Sequence, residues 1–261
     1  MRSHVSLPPL APADFRVSVV LPVYSEVESV SEVVAGLRDR LGSRLEQIVL
    51  VLSPRSQAAS RAVCEELAAA DPRVLLHVQV NNPGLGHAVR EGYARTTGNL
   101  VLNMDSDGEM EIETVSRMLA VMERDGPALV IAARWLPGGG FSGYSPVKKV
   151  LNWGFQQLFR LLFWTPLHDL TYGFKLMRGE LARGIAWEGS LHEIACETTL
   201  KPVRLGVPVA EVPSRWTARV QGVSKNTFLR NFRYVRTALR ILLGGVTLRQ
   251  EPAAQGIMEL S

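Results

Sequence analysis

Apolar residues fall along this chain in short unbroken runs, separated by stretches with helical spacing. Residues 16–24 (Arg-Val-Ser-Val-Val-Leu-Pro-Val-Tyr) predict a buried strand ending at Pro22. Val30, Val33, Val34, Leu37 and Leu41 then recur at a helical period, which predicts a helix over 27–41. Residues 46–52 give a second apolar strand, and the Ser-Pro-Arg-Ser stretch after it leads into a helix through about residue 70. A third strand follows at 73–80, a helix at 83–97 and a fourth strand at 99–104. Continuous apolar strands alternating with helices predict an α/β domain whose mostly parallel central sheet is flanked by helices on both faces. Sheets of this kind bind ligands beyond the carboxyl ends of their strands. Pro22, Ser53 and Asp105 all stand at such ends, so one ligand can reach all three.

The second half is less regular. A helix is predicted at 111–124 and a strand at 127–133, followed by a Gly-rich loop of high mobility running from Arg134 through Ser145. Val150, Leu151, Phe155, Leu158, Phe159, Leu162 and Phe163 mark a helix at 146–164. Residues 168–178 read as a short strand or loop, 190–201 as a helix and 207–212 as a strand. The segment 226–243 predicts a basic amphipathic helix with Phe228, Leu229, Phe232, Val235, Leu239 and Leu242 along one side, ended by Gly244-Gly245. The division that follows is a leader at 1–15, loose and rich in Pro and Ala, one domain at 16–225, a basic helical tail at 226–249 and a disordered end at 250–261.

Composition changes this picture in two places. The 261 residues are 46% apolar, enough for one large core, and the net charge is +4. The positive excess is concentrated: Arg219, Lys225, Arg230, Arg233, Arg236, Arg240 and Arg249 follow one another with no acid between them. An anionic partner is implied, whether phosphate or membrane surface. No zinc-finger or RNA-binding signature supports nucleic acid. Cys64 and Cys196 lie far apart among apolar neighbours and read as buried thiols of a reducing, cytoplasmic compartment. No run approaches the ~18 apolar residues of a spanning helix.

The chemistry-bearing segment is Asn-Met-Asp-Ser-Asp-Gly-Glu at 103–109. In extended chain, Asp105 and Asp107 point to the same side. Two carboxylates presented together are costly without a cation between them. Hard divalent ions such as Mg²⁺ or Mn²⁺ take oxygen ligands and keep positions open for phosphate. An Asp-x-Asp alone is more often a solvated turn, so its neighbours decide.

Those neighbours resemble glycosyltransferase family 2, which has the GT-A (nucleotide-diphospho-sugar transferase) fold, and within it the dolichyl- or polyprenyl-phosphate mannose and glucose synthases. The resemblance covers roughly 16–230. It rests on Leu-Pro-Val-Tyr-Ser-Glu (21–26), Gly-Leu-Gly-His-Ala (84–88), Met-Asp-Ser-Asp (104–107), Ala-Arg-Trp-Leu-Pro-Gly-Gly-Gly (133–140), His-Asp-Leu-Thr-Tyr-Gly-Phe-Lys (168–175), Glu-Val-Pro (211–213) and Arg-Val-Gln-Gly-Val-Ser-Lys (219–225). The resemblance implies a metal-dependent inverting transferase that moves a sugar from a nucleotide-sugar of GDP-mannose or UDP-hexose type to a polyprenyl phosphate. Asp105 and Asp107, with Glu109, would hold the Mg²⁺ or Mn²⁺ and the donor diphosphate. Pro22, Tyr24 and Glu26 would line the base and ribose, with Ser53, Gly86 and Ser106 on the donor side. Arg219 and Lys225 would close over a diphosphate or phosphate. Arg134, Ser145, Lys148 and Lys149 would meet the acceptor phosphate, and Asp169 would sit at the sugar end of the site.

The chain departs from the family pattern at Ser25, where an Asn is usual, at Leu52 and Ser53, where two acids normally help read the base, and at Tyr172, which replaces a small hydroxyl residue. The first departures leave the nucleotide open; the last reshapes the sugar or acceptor pocket. A phosphate acceptor is ionised near neutral pH and requires no general base. A soluble hydroxyl acceptor, the alternative, requires one; Asp169, Glu193 and Glu197 are the candidates. A non-catalytic nucleotide-sugar-binding module is a third reading. A nucleotidyltransferase would place a Gly-rich phosphate loop after the first strand, where this chain has Pro-Val-Tyr-Ser-Glu. Without a spanning helix in the sequence, the chain would reach a lipid acceptor peripherally from the inner face of the membrane, with the basic tail helix as a candidate contact.

Overall fold

The structure, a computed structural model, describes residues 7–218 and 231–249. Strands β1 (Val17–Val23), β2 (Leu45–Leu52), β3 (Val74–Val78) and β4 (Leu100–Asn103) alternate with helices α1 (Glu28–Leu41), α2 (Ala58–Ala70) and α3 (Leu85–Tyr93). Then come α4 (Thr114–Asp125), β5 (Leu129–Ala133), β6 (Gly140–Ser142), α5 (Pro146–Phe163), β7 (Lys175–Arg178), α6 (Gly179–Gly184), α7 (Ile194–Arg204), β8 (Val209–Pro213), β9 (Arg215–Thr217) and α8 (Asn231–Gly244).

Seven strands form the main sheet in the order β3-β2-β1-β4-β7-β5-β8. Their side chains alternate between two apolar layers, as the strand period requires. Val19, Leu21, Ile48 and Leu50 face α1, α2 and α4, while Val20, Val49 and Val51 face α3 and the helices of the second half. Burial on both faces explains why the strands read as unbroken apolar runs.

β7 is the exception to the parallel order. It lies between β4 and β5 and runs antiparallel to both, so Lys175 pairs with Asn103 on one side and Ile131 on the other. The chain therefore leaves the sheet at the end of β5 and returns at the start of β7 on the same rim. The stretch 134–145, expected as a mobile Gly-rich loop, is ordered within that excursion. β6 pairs in parallel with β9 in a small second sheet. Trp135, Phe141, Tyr144 and Trp216 stack in sequence, with neighbouring ring centroids 4.9–5.1 Å apart. Aromatic burial overrides the local turn preference of the glycines.

Two expectations at the ends also change. Residues 7–15, read as part of a loose leader, lie against the domain. Phe15 is buried, and the Pro8 carbonyl accepts a hydrogen bond from Arg178 at 2.9 Å. In the basic tail, α8 packs on α7 through buried Thr237, Ala238 and Ile241, while Phe232 and Leu239 of the expected apolar side are exposed. Residues 226–230 of that tail and the end at 250–261, expected to be disordered, lie outside the described residues.

Candidate functional site

The site is built at the rim where β1, β2, β4 and β5 end and β7 begins. After β4 the chain turns, and Ser106 points inward, donating its hydroxyl hydrogen to the Pro22 carbonyl at 2.7 Å. Asp105 and Asp107, on either side of buried Ser106, stay partly exposed at the rim. The Asp107 carboxylate accepts the Glu109 amide at 3.0 Å and fixes the turn, a local closure typical of Asp. The Glu109 carboxylate accepts the Trp216 indole N–H at 3.0 Å, and the Glu109 carbonyl accepts the Thr217 amide at 3.0 Å. The acidic turn is thus tied to β9.

Among the described residues, no three His, Cys, Asp or Glu side chains are gathered as a ready-made metal cage. Glu109, expected beside the aspartates as a metal ligand, has a carboxylate oxygen on the Trp216 indole. The remaining donor set still fits a divalent ion. Asp105 and Asp107 offer hard carboxylate oxygens, and Mg²⁺-type sites are commonly completed by substrate phosphates and water rather than by protein alone.

On the nucleotide side, Pro22, Tyr24, Ser53 and Ser106 share this rim. Tyr24 is exposed, whereas Ser53 is buried with its hydroxyl oxygen accepting from Asn82 at 2.8 Å. The Glu26 carboxylate accepts the Tyr24 and Ser25 amides at 2.7 and 2.9 Å, so it shapes the turn that carries Tyr24. Gly86 has a packing reason of its own. A Cβ there would lie 2.3 Å from the Gly189 carbonyl oxygen, and the Gly86 amide donates to Ser190 O at 3.1 Å. Ser145, Lys148 and Lys149 lie together and exposed at the start of α5. Arg219 and Lys225 lie outside the described residues.

Arg134 and Asp169 form one buried unit. The Arg134 Nε and Nη2 donate to the two oxygens of Asp169 at 2.7 and 3.0 Å, and the Arg134 amide donates at 3.1 Å. Gln156 donates to Asp169 Oδ1 at 3.2 Å. The guanidinium carbon also sits 4.2 Å from the Tyr172 ring centroid and 5.0 Å from that of Phe141. Burial works against the Arg134 charge, yet the Asp169 carboxylate outweighs it and moves the pKa upward. Tyr172, the large residue in place of a small one, therefore serves as a face for this cation.

The sequence reading gave no role to Glu211, which holds the unit in place. Its carboxylate accepts the His168 amide at 2.8 Å, the Asp169 amide at 2.9 Å and a His168 ring N–H at 2.9 Å. An acid within an otherwise apolar strand was the available signal. The other two acids considered as bases are also occupied. Glu197 is fully buried, accepts the Glu188 and Gly189 amides at 2.9 and 2.6 Å and pairs with Lys201 at 2.6 Å. Glu193 accepts the Ser190 and Leu191 amides at 3.1 Å. Burial raises its pKa, but its own main-chain amide, together with those of Leu191 and Ser190, turns the net shift downward.

A mostly parallel sheet with paired acids at its rim and a braced cation opposite defines a sugar-nucleotide transferase of the GT-A class. Comparison with known families places the chain within that class: it belongs to glycosyl transferase family 2, whose pattern matches residues 18–185, and it is a glycosyltransferase. It is 30% identical over 217 residues to undecaprenyl-phosphate mannosyltransferase of Micrococcus luteus, covering 80% of this chain and 87% of that one. It is 30% identical over 218 residues to polyprenol monophosphomannose synthase of Mycolicibacterium smegmatis, covering 80% of each. In three dimensions it is similar to glucosyl-3-phosphoglycerate synthase of Mycobacterium tuberculosis, crystallised with Mn²⁺, uridine diphosphate and phosphoglyceric acid. That match has a TM-score of 0.65 at 17% identity, spans 93% of this chain and 88% of the other, and concerns the fold.

Proposed function

We propose that this enzyme moves a hexosyl group from a nucleoside diphosphate sugar to a polyprenyl phosphate, with inversion at the anomeric carbon. One observation carries the choice of acceptor. Asp169, Glu193 and Glu197, the carboxylates considered as general bases, are each occupied by protein donors. A hydroxyl acceptor requires a base within reach of its proton; an ionised phosphate does not. In this reading a phosphate oxygen attacks the anomeric carbon, the bond to the donor phosphate breaks, and the nucleoside diphosphate departs with the bonding electrons. The related polyprenyl-phosphate transferases support the same acceptor class.

Asp105 and Asp107 would hold Mg²⁺ or Mn²⁺, whose charge stabilises the leaving diphosphate when bound. Pro22, Tyr24, Ser53 and Ser106 form the donor side, and Glu26 keeps Tyr24 in place. Asp169 takes Nε and one terminal nitrogen of Arg134, and the other terminal nitrogen is assigned to the acceptor phosphate with Ser145, Lys148 and Lys149. Asp169 is then a positioning residue rather than a base. Arg219 and Lys225 retain their proposed closing role. The site works at the cytoplasmic surface of a membrane; among the described residues no helix is long and apolar enough to cross one.

The test supplies labelled GDP-mannose and UDP-glucose, with Mn²⁺, to detergent-dispersed polyprenyl phosphate, to the unphosphorylated polyprenol and to water-soluble acceptors. Transfer to the phosphate alone is expected, lost on chelation and reduced at least ~100-fold in Asp107→Ala, about 3 kcal/mol of transition-state stabilisation. Transfer only to a soluble hydroxyl would overturn the reading.

A further inference from the structure

α5 has two apolar sides, and the fold uses one. Gln156, Phe159 and Phe163 face the core. On the opposite side Val147, Val150, Leu151, Leu158 and Leu161 share one helix face, interrupted at Gly154, with Val150 and Leu161 each 68% exposed. Trp153 and Trp164 flank the stripe, and Trp164 is 80% exposed. Isolated exposed apolar residues are ordinary, but several gathered on one helix face mark an interaction surface.

Charge identifies the occupant. Residues 143–167 contain no acid and carry Lys148, Lys149 and Arg160. α8 touches α5, and its residues 231–244 likewise contain no acid and carry Arg233, Arg236 and Arg240, the last 3.6 Å from Glu188. Phe232 and Leu243 of α8 are exposed as well. A second copy docked on this face would set cations against cations. A bilayer with anionic headgroups fits both properties: acyl chains take the stripe, headgroups take the lysines and arginines, and tryptophans sit at the boundary. We propose that α5, with the basic rim of α8 beside it, is an in-plane anchor on an anionic lipid surface.

The inference deepens the lipid-acceptor reading and rests on it for its purpose, since the same helix begins at the lysines assigned to the acceptor phosphate. Its test is separate. The full chain is floated with vesicles free of any polyprenyl phosphate, either phosphatidylcholine alone or with phosphatidylglycerol added. The protein is expected to float with the anionic vesicles at least tenfold more than with neutral ones. Val150→Glu/Leu161→Glu, at solvent-facing positions, is expected to lose at least tenfold of that binding while keeping its transfer rate on detergent-dispersed acceptor. Intrinsic fluorescence should shift to the blue on vesicle addition, and the shift should vanish in Trp153→Phe/Trp164→Phe. Wild-type protein that stays in solution, a double-Glu variant that floats as well as wild type, or a stable dimer split by the double-Glu variant would each overturn the proposal. Vesicle binding without transfer to lipid would leave the anchor standing and remove the acceptor reading.

Discussion

Replacing Asp169 by Asn tests whether the Arg134–Asp169 unit is a structural element or a loose surface pair. Asn keeps the volume and removes the charge. Asp169 has no exposed surface and the Arg134 side chain is 8% exposed, so water cannot replace the lost partner. Breaking a buried ion pair from one side costs roughly 3–5 kcal/mol, because the surviving charge is left uncompensated. The rings of Tyr172 and Phe141 stay beside the guanidinium, and a desolvated cation–π contact retains ~1–2 kcal/mol. The net loss should therefore fall near the bottom of the range, about 3 kcal/mol. For a chain of this size that is a drop of roughly 6–12 °C in melting temperature. Circular dichroism at a fixed heating rate reads it directly. Arg134→Met/Asp169→Asn, which removes both charges while the Asn oxygen still accepts from the main-chain amide at position 134, should recover most of the loss, since no uncompensated ion is left buried. A drop of less than about 2 °C in the Asn variant, or a double variant no more stable than the single one, would refute the assignment.

Three further outcomes follow from the packing. Gly86→Ala, whose Cβ would meet backbone at Gly189, should lose ~1–3 kcal/mol by overpacking, measured as a lower melting temperature; an unchanged melt would contradict the close approach. Lys175 is fully buried, donates to Ala195 O and Thr198 Oγ1, and is held by burial at a pKa of about 7 against its ordinary 10.5. Between those values the unfolded chain binds the extra proton, so stability should rise with pH across the window. Melting curves of wild type and Lys175→Met should show that rise only in wild type. Burial pushes the Cys64 thiol up to about 11 and raises that of Cys196 further still, so iodoacetamide at neutral pH should label neither in the native protein and both after unfolding, as read by mass spectrometry.

The first half of the fold was legible because β1, β2 and β4 are buried on both faces, and that burial writes itself as unbroken apolar sequence. The acidic turn was legible because its residue types are few and their spacing is short. β7 was not: its four residues, Lys-Leu-Met-Arg, say nothing about direction, which depends on where the preceding excursion lets the chain return. The pairing of β6 with β9 joins segments far apart in the chain, with no local trace. In α5 apolar residues occupy both sides, so periodicity could not say which side faces the core. Glu211 was hidden for another reason. Its work is done through main-chain amides of residues 168 and 169, and amide partners leave no mark on side-chain patterns.

The antiparallel strand in the middle of the sheet makes residues 134–174 a detachable cassette. Both stems of this cassette are neighbouring strands on one rim, so its contents can be lengthened, shortened or exchanged without re-threading the sheet, provided β6 keeps its pairing with β9, to which the acidic turn is tied. Diversification among relatives is then expected to concentrate between those stems, and a chimera exchanging that stretch is the natural way to redirect such an enzyme to a new recipient while its donor half stays as it is.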